Sequence, residues 1–157
     1  MVIFPVLFLL SLTVFAEPDP NPDSPIPVLL SSSDNTRVLA VNTNKFKGNL
    51  PKTSDLIFYP GERSVITLFV TNLDLKKNEG ANSFRVYLGN QNGSVYELQT
   101  LELQPISRQV YALKVRLYEK ANYRGQPPAN GDALIFITWR GLASNALKIG
   151  LGSTEGN

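Results

Sequence analysis

Apolar and polar residues alternate one by one in several separate stretches of this chain, and that rhythm constrains its fold more than any other feature. Phe84, Val86 and Leu88 alternate with Arg85 and Tyr87. Tyr111, Leu113, Val115 and Leu117 alternate with Ala112, Lys114 and Arg116, and Leu147, Ile149 and Leu151 with Ala146, Lys148 and Gly150. Successive side chains of a strand point to opposite faces, so each stretch buries one row and wets the other. Ser64 to Thr71 and Ala133 to Trp139 are more continuously apolar and hold Ile, Val, Phe and Thr, the pattern of central strands covered on both faces. None of these stretches keeps the i, i+3, i+4 spacing of an amphipathic helix.

Turn chemistry separates the stretches. Pro60-Gly61 precedes the Ser64 strand, and Asn92-Gly93 predicts a hairpin between Phe84–Leu88 and Val95–Leu98. Asn130-Gly131 enters the Ala133 strand, and Trp139-Arg140-Gly141-Leu142 turns the chain toward its last one. About seven to nine short strands of this kind predict an all-β fold, an immunoglobulin-like antiparallel β-sandwich over residues 36–152. Trp139 is expected between the sheets. Leu147–Leu151 is expected at an open sheet edge, with Lys148 as a guard against pairing with another chain.

The ends of the chain read differently. Val2 to Phe15 is almost wholly apolar, and Val14-Phe15-Ala16 before Glu17 has the form of a signal-peptidase site, so residues 1–16 are expected to be a signal peptide. The run is too short for a transmembrane helix, which needs about 20 apolar residues. The product is therefore expected to be secreted, extracellular or periplasmic, with no membrane span. Residues 17–35 open with five prolines among acidic and small polar residues and are expected to form a disordered linker. Residues 153–157 are expected to be a flexible tail.

Two missing residue types narrow the chemistry. Without cysteine there is no disulfide, thiolate metal site or cysteine nucleophile, and without histidine the commonest general base and metal ligand are gone. No Asp-x-Asp-x-Asp run suggests calcium. No cofactor and no metal is expected. From Pro25 onward, 15 basic residues against 10 acidic ones leave a net of +5, but the basic residues are scattered and form no stripe, which argues against nucleic acid.

Pro60-Gly61, the strand Ser64–Thr71 ending in Asn72-Leu73, and the closing Gly141-Leu142-Ala143-Ser144-Asn145 before an alternating strand together resemble the IPT/TIG type of immunoglobulin-like domain. With Thr36-Arg37-Val38-Leu39-Ala40, they are also similar to modules of secreted proteins from Acidobacteria-type bacteria. The resemblance covers somewhat over half the chain and departs from the family at the Lys76 to Ala81 insertion and before Pro60. It implies a spacer, adhesion or carbohydrate-contact module at a cell surface and no catalytic residue.

The leading expectation is thus a non-catalytic secreted module with a structural, adhesive or protein-binding role, its partner a cell-envelope protein or a surface glycan. The alternative is a carbohydrate-binding module using loop aromatics. Tyr123 beside Arg124 lies in the Glu119–Asp132 loop, and Phe46 among Lys45, Lys47 and Lys52 lies in the Asn42–Asp55 loop. The competing reading folds each ring back onto the core. A small glycan hydrolase would need a carboxylate pair drawn from Glu97, Glu102, Glu119 and Asp132.

Overall fold

A computed structural model describes residues 23–61, 64–89, 93–117 and 130–152. The described residues form nine strands: β1 (Val28–Leu29), β2 (Ala40–Asn42), β3 (Val65–Thr71), β4 (Phe84–Gly89), β5 (Val95–Pro105), β6 (Val110–Arg116), β7 (Gly131–Trp139), β8 (Leu142–Ala143) and β9 (Leu147–Leu151). The all-β, antiparallel expectation holds, since every strand-to-strand pairing is antiparallel. The expected signal peptide and the tail at 153–157 lie outside the described residues.

Strand order runs β1-β3-β6-β5-β4-β7-β8, with β2 also on β3 and β9 also on β7. The path is one continuous sheet because β5 serves two neighbours. Val95–Leu98 pairs with β4 and Gln99–Pro105 with β6, and a register shift between Thr100 and Glu102 lies just inside the β6-paired half. An extra residue in one strand bends it and sharpens its twist. Here Leu101 is that residue, and it stands partly exposed.

The bend allows one dry interior to be lined from both halves. Ile66, Leu68 and Val70 of β3 share a single cluster with Phe84, Val86 and Leu88 of β4, Ile135, Ile137 and Trp139 of β7, and Leu147, Ile149 and Leu151 of β9. Each such side chain contributes about 1.5–3 kcal/mol relative to exposure, so this interior dominates stability. Trp139 lies inside it, with the ring of Phe84 stacked at 6.0 Å. A smaller cluster of Leu39, Val41, Phe69 and Ala112 covers the opposite side of β3, whose residues 66–70 are all buried. By contrast β7 buries only one row, and Leu134 on the other is 48% exposed. The expectation that Ala133–Trp139 is covered on both faces is corrected: its outward apolar residues face water rather than a second layer.

The linker expectation is corrected from Ser24 onward. Ser24 and Leu29 are buried, and β1 pairs with β3 through Val28↔Thr71 and Leu29↔Val70. Pro25 and Pro27 precede the strand, where their missing N–H groups cost no ladder bond. The segment is fixed by Asn145, whose side-chain amide accepts from Leu29 N–H at 2.8 Å and donates to Leu29 C=O at 3.0 Å. One side chain thus replaces a strand partner. Asn72, at φ 62°, likewise donates to the Ile26 carbonyl at 2.7 Å.

The open-edge expectation for Leu147–Leu151 is overturned. Val38 N–H donates to Lys148 C=O at 2.9 Å and Lys148 N–H to Thr36 C=O at 3.0 Å. Phe58 N–H donates to Gly150 C=O at 2.8 Å and Gly152 N–H to Phe58 C=O at 2.9 Å. The strand is therefore covered by two parallel bridges, Arg37↔Lys148 and Phe58↔Leu151, and Lys148 guards no exposed backbone.

Two expected outcomes test this closure. A methyl group at Gly150 would overlap the Leu56 carbonyl oxygen and stand 3.2 Å from the Arg37 guanidinium, while one at Gly89 would find Leu134 O at 3.9 Å. Gly150→Ala should cost about 1–3 kcal/mol in denaturant unfolding, with Gly89→Ala near neutral. Asn145→Ala strands both backbone groups of Leu29 and should cost a further ~1–3 kcal/mol in the same assay.

Candidate functional site

The outward rows of β5, β4 and β7 form one face that combines aromatic, apolar and charged side chains. Register places Tyr87 between Glu97 and Phe136, Gly89 between Val95 and Leu134, and Arg85 opposite Thr138. The Tyr87 and Phe136 rings stack at 5.2 Å with an interplanar angle of 24°. Strand spacing sets this distance, since directly opposed residues bring their side chains within about 5 Å. Each ring covers one face of the other, and both side chains are half-buried. Beside them Val95 is 57% exposed and Gly89 leaves a hollow between Val95 and Leu134.

An open groove of about 440 Å³ adjoins the aromatic pair, with Asn82, Arg85, Tyr87, Glu97, Thr138 and Arg140 among its lining residues. Arg85 Nε meets Glu97 Oε1 at 3.2 Å, and Arg85 Nη1 donates to the Asn82 carbonyl at 3.2 Å. Both side chains of that ion pair are 54% exposed, so its energetic worth is small and its role is to hold donor and acceptor side by side.

Arg140 fixes the far wall. With Gly141 it forms the two-residue turn between β7 and β8, at φ 50° and 77°. Positive φ at both positions marks the type I′ turn that suits the right-handed twist of a hairpin, but for a non-glycine residue it is strained. Contacts made by the guanidinium offset that strain. Nε and Nη2 donate to the two Glu79 carboxylate oxygens at 2.8 and 2.6 Å, and Nη1 donates to Asp74 Oδ1 at 2.7 Å and Ser24 Oγ at 3.3 Å. The guanidinium carbon sits 4.0 Å from the Trp139 ring centroid. Such planar two-point pairing is what arginine supplies and lysine does not. Hydrogen bonding from Arg140 pulls the Glu79 carboxyl from 4.5 down to about 2, and the same pairing pushes Arg140 up. The Lys76 to Ala81 segment is thereby tied to the domain at Glu79.

The residues singled out in the sequence are dispersed. Tyr123, Arg124 and Glu119 lie outside the described residues. Phe46 packs on Phe69 with ring centroids 5.8 Å apart, at the smaller apolar cluster. That corrects its reading as a projecting ligand contact: the ring plugs the outer side of β3. Lys45 pairs with Asp55 at 2.9 Å. Burial works against the Asp55 charge, yet the Asn42 N–H and the Lys45 ammonium hold its carboxyl below the usual value. Lys47 and Lys52 are exposed. Glu97 is paired with Arg85, Glu102 with Lys114 and Asp132 with Arg37. Among the described residues no group of three or more His, Cys, Asp or Glu side chains could hold a metal ion, and no helix is long and apolar enough to cross a membrane.

Tyr87 and Phe136 were absent from the sequence-based candidates. The signal for Tyr87 is its place in the outward row of an alternating strand, and Phe136 was obscured by the apolar run around it. The chain matches no protein-family model, and no curated protein matches it.

Because the Glu79 pKa is depressed on folding, its stabilisation is present above about pH 4.5 and is lost as pH falls through about 2. Glu79→Gln should therefore be less stable than the parent at about pH 5, with the difference shrinking by about pH 2. Urea unfolding at the two pH values checks this.

Proposed function

We propose that the protein is an exported, non-catalytic module of the IPT/TIG immunoglobulin-like type that binds a cell-envelope partner through the outward face of β4, β5 and β7. The stacked Tyr87–Phe136 pair carries this reading. Val95 and Leu134 stand exposed beside this half-buried aromatic pair on one sheet face, and apolar surface of that kind marks interaction sites. The rest of the architecture supports it: β4 and β7 are interior strands paired on both sides, a rigid platform for side-chain recognition.

The family reading is supported by structural duties of the motif residues. Asn72 adopts the left-handed conformation after β3, and Ser144 exchanges bonds with Ile137 while Asn145 holds Leu29. Export is supported by the apolar run Val2–Phe15 before Ala16-Glu17.

Fractionation and sedimentation test the proposal together. The full chain should reach the envelope or medium of producing cells with residues 1–16 removed. Purified mature protein should co-sediment with envelope fragments from those cells. Tyr87→Ala and Leu134→Glu, each folded by thermal melt, should weaken retention by about tenfold, the loss expected of one central contact. Unchanged retention in both would reject this face.

A further inference from the structure

Resting on that reading of the face, we infer that its ligand is an uncharged glycan, one sugar ring packing on the Tyr87–Phe136 pair while its hydroxyls enter the groove beside Arg85 and Glu97. The structure first removes competing ligand classes. A peptide adding itself as a strand needs free backbone at an edge. β4 is bonded on one side to β5 and on the other to β7, and β7 to β9, so β4 and β7 present side chains alone. An apolar helix would need a continuous greasy groove, whereas the groove here is lined by Asn82, Ser83, Arg85, Glu97 and Thr138. An anion would need unopposed positive charge. Arg85 instead faces Glu97 at 3.2 Å, and Arg140 is matched by Glu79 and Asp74.

What remains suits a sugar. A pyranose ring has patches of C–H on its faces and hydroxyls around its rim, so it requires a π-face and, a few ångströms away, alternating donors and acceptors. On the side of Tyr87 away from Phe136 lies β5, where Glu97 stands directly opposite in register. A guanidinium offers only donors and a carboxylate only acceptors. Held side by side at 3.2 Å and both half-exposed, they can engage two neighbouring hydroxyls, one as acceptor and one as donor. The hollow over Gly89 gives room for an adjoining residue between Val95 and Leu134.

The test uses the mature protein on a glycan array and in affinity electrophoresis with soluble neutral polysaccharides. Binding should fall about tenfold in Tyr87→Ala, be kept in Tyr87→Phe, and fall severalfold in Glu97→Gln; tenfold is the loss of one central contact. Raising salt should change affinity little, because no net charge is being neutralised. Absence of binding to every glycan, equal binding by Tyr87→Ala, or binding confined to polyanions and abolished by salt overturns the inference. Envelope fragments separate this failure from failure of the face itself. Retention that needs Tyr87, survives protease and is lost after periodate supports the glycan. Retention that needs Tyr87 but is lost to protease and survives periodate discards the glycan and keeps the binding face. Retention indifferent to Tyr87 discards both.

Discussion

β5 bonds to β4 through Val95–Leu98 and to β6 through Gln99–Pro105, with a bulge just inside the second half, and the closed interior depends on that change of partner. Without it the inward rows of β3 and β6 could not meet those of β4, β7 and β9 around a common cluster. Hydrophobic burial supplies most of the stabilisation, but it is non-directional. The bulge, the hydrogen-bonded path and the side-chain clamps give that burial its particular geometry.

Sealing the free ends of a sheet is a separate problem, because unpaired strand edges invite pairing with other chains. Here short segments do the work. Thr36 to Val38 and Phe58 occupy the outer backbone of β9, and the Asn145 amide holds β1. Gly150 is a glycine because the Leu56 carbonyl and the Arg37 guanidinium crowd the space where a side chain would begin. The Arg37–Asp132 pair, with Nη2 at 2.8 and 3.0 Å from the two carboxylate oxygens, links the covering segment to β7. These residues come from turns and irregular stretches, which explains how a motif such as Ser144-Asn145 can matter to the fold without lying in a strand.

Strand rhythm was largely legible. β4, β6 and β9 bury the alternating rows that the sequence shows, and the hairpin through Gly93 joins β4 to β5. Less legible was anything decided by partners distant in sequence. Proline density hid β1, because what orders it is Asn145, 116 positions away. Chain order suggested that the last strand lies at an edge, while coverage by residues 36–38 and 58 is a purely tertiary fact. Local composition could not separate an apolar run buried on both faces, as in β3, from one with its outer row exposed, as in β7. The candidate face was missed for that reason: Phe136 sits in such a run, while attention to loops favoured Phe46, which Phe69 retains.

An arginine at a turn position better suited to glycine also bears on the order of assembly. In isolation the hairpin joining β7 to β8 carries a left-handed residue that costs about 1–2 kcal/mol. Its compensation arrives from Glu79, Asp74 and Ser24, which are 61, 66 and 116 positions away. The turn therefore gains its stability late, once the 74–79 segment and the N-terminal stretch have come to rest on it. The contiguous β4–β5–β6 meander, by contrast, is held by pairings between neighbouring strands and needs no such distant partner.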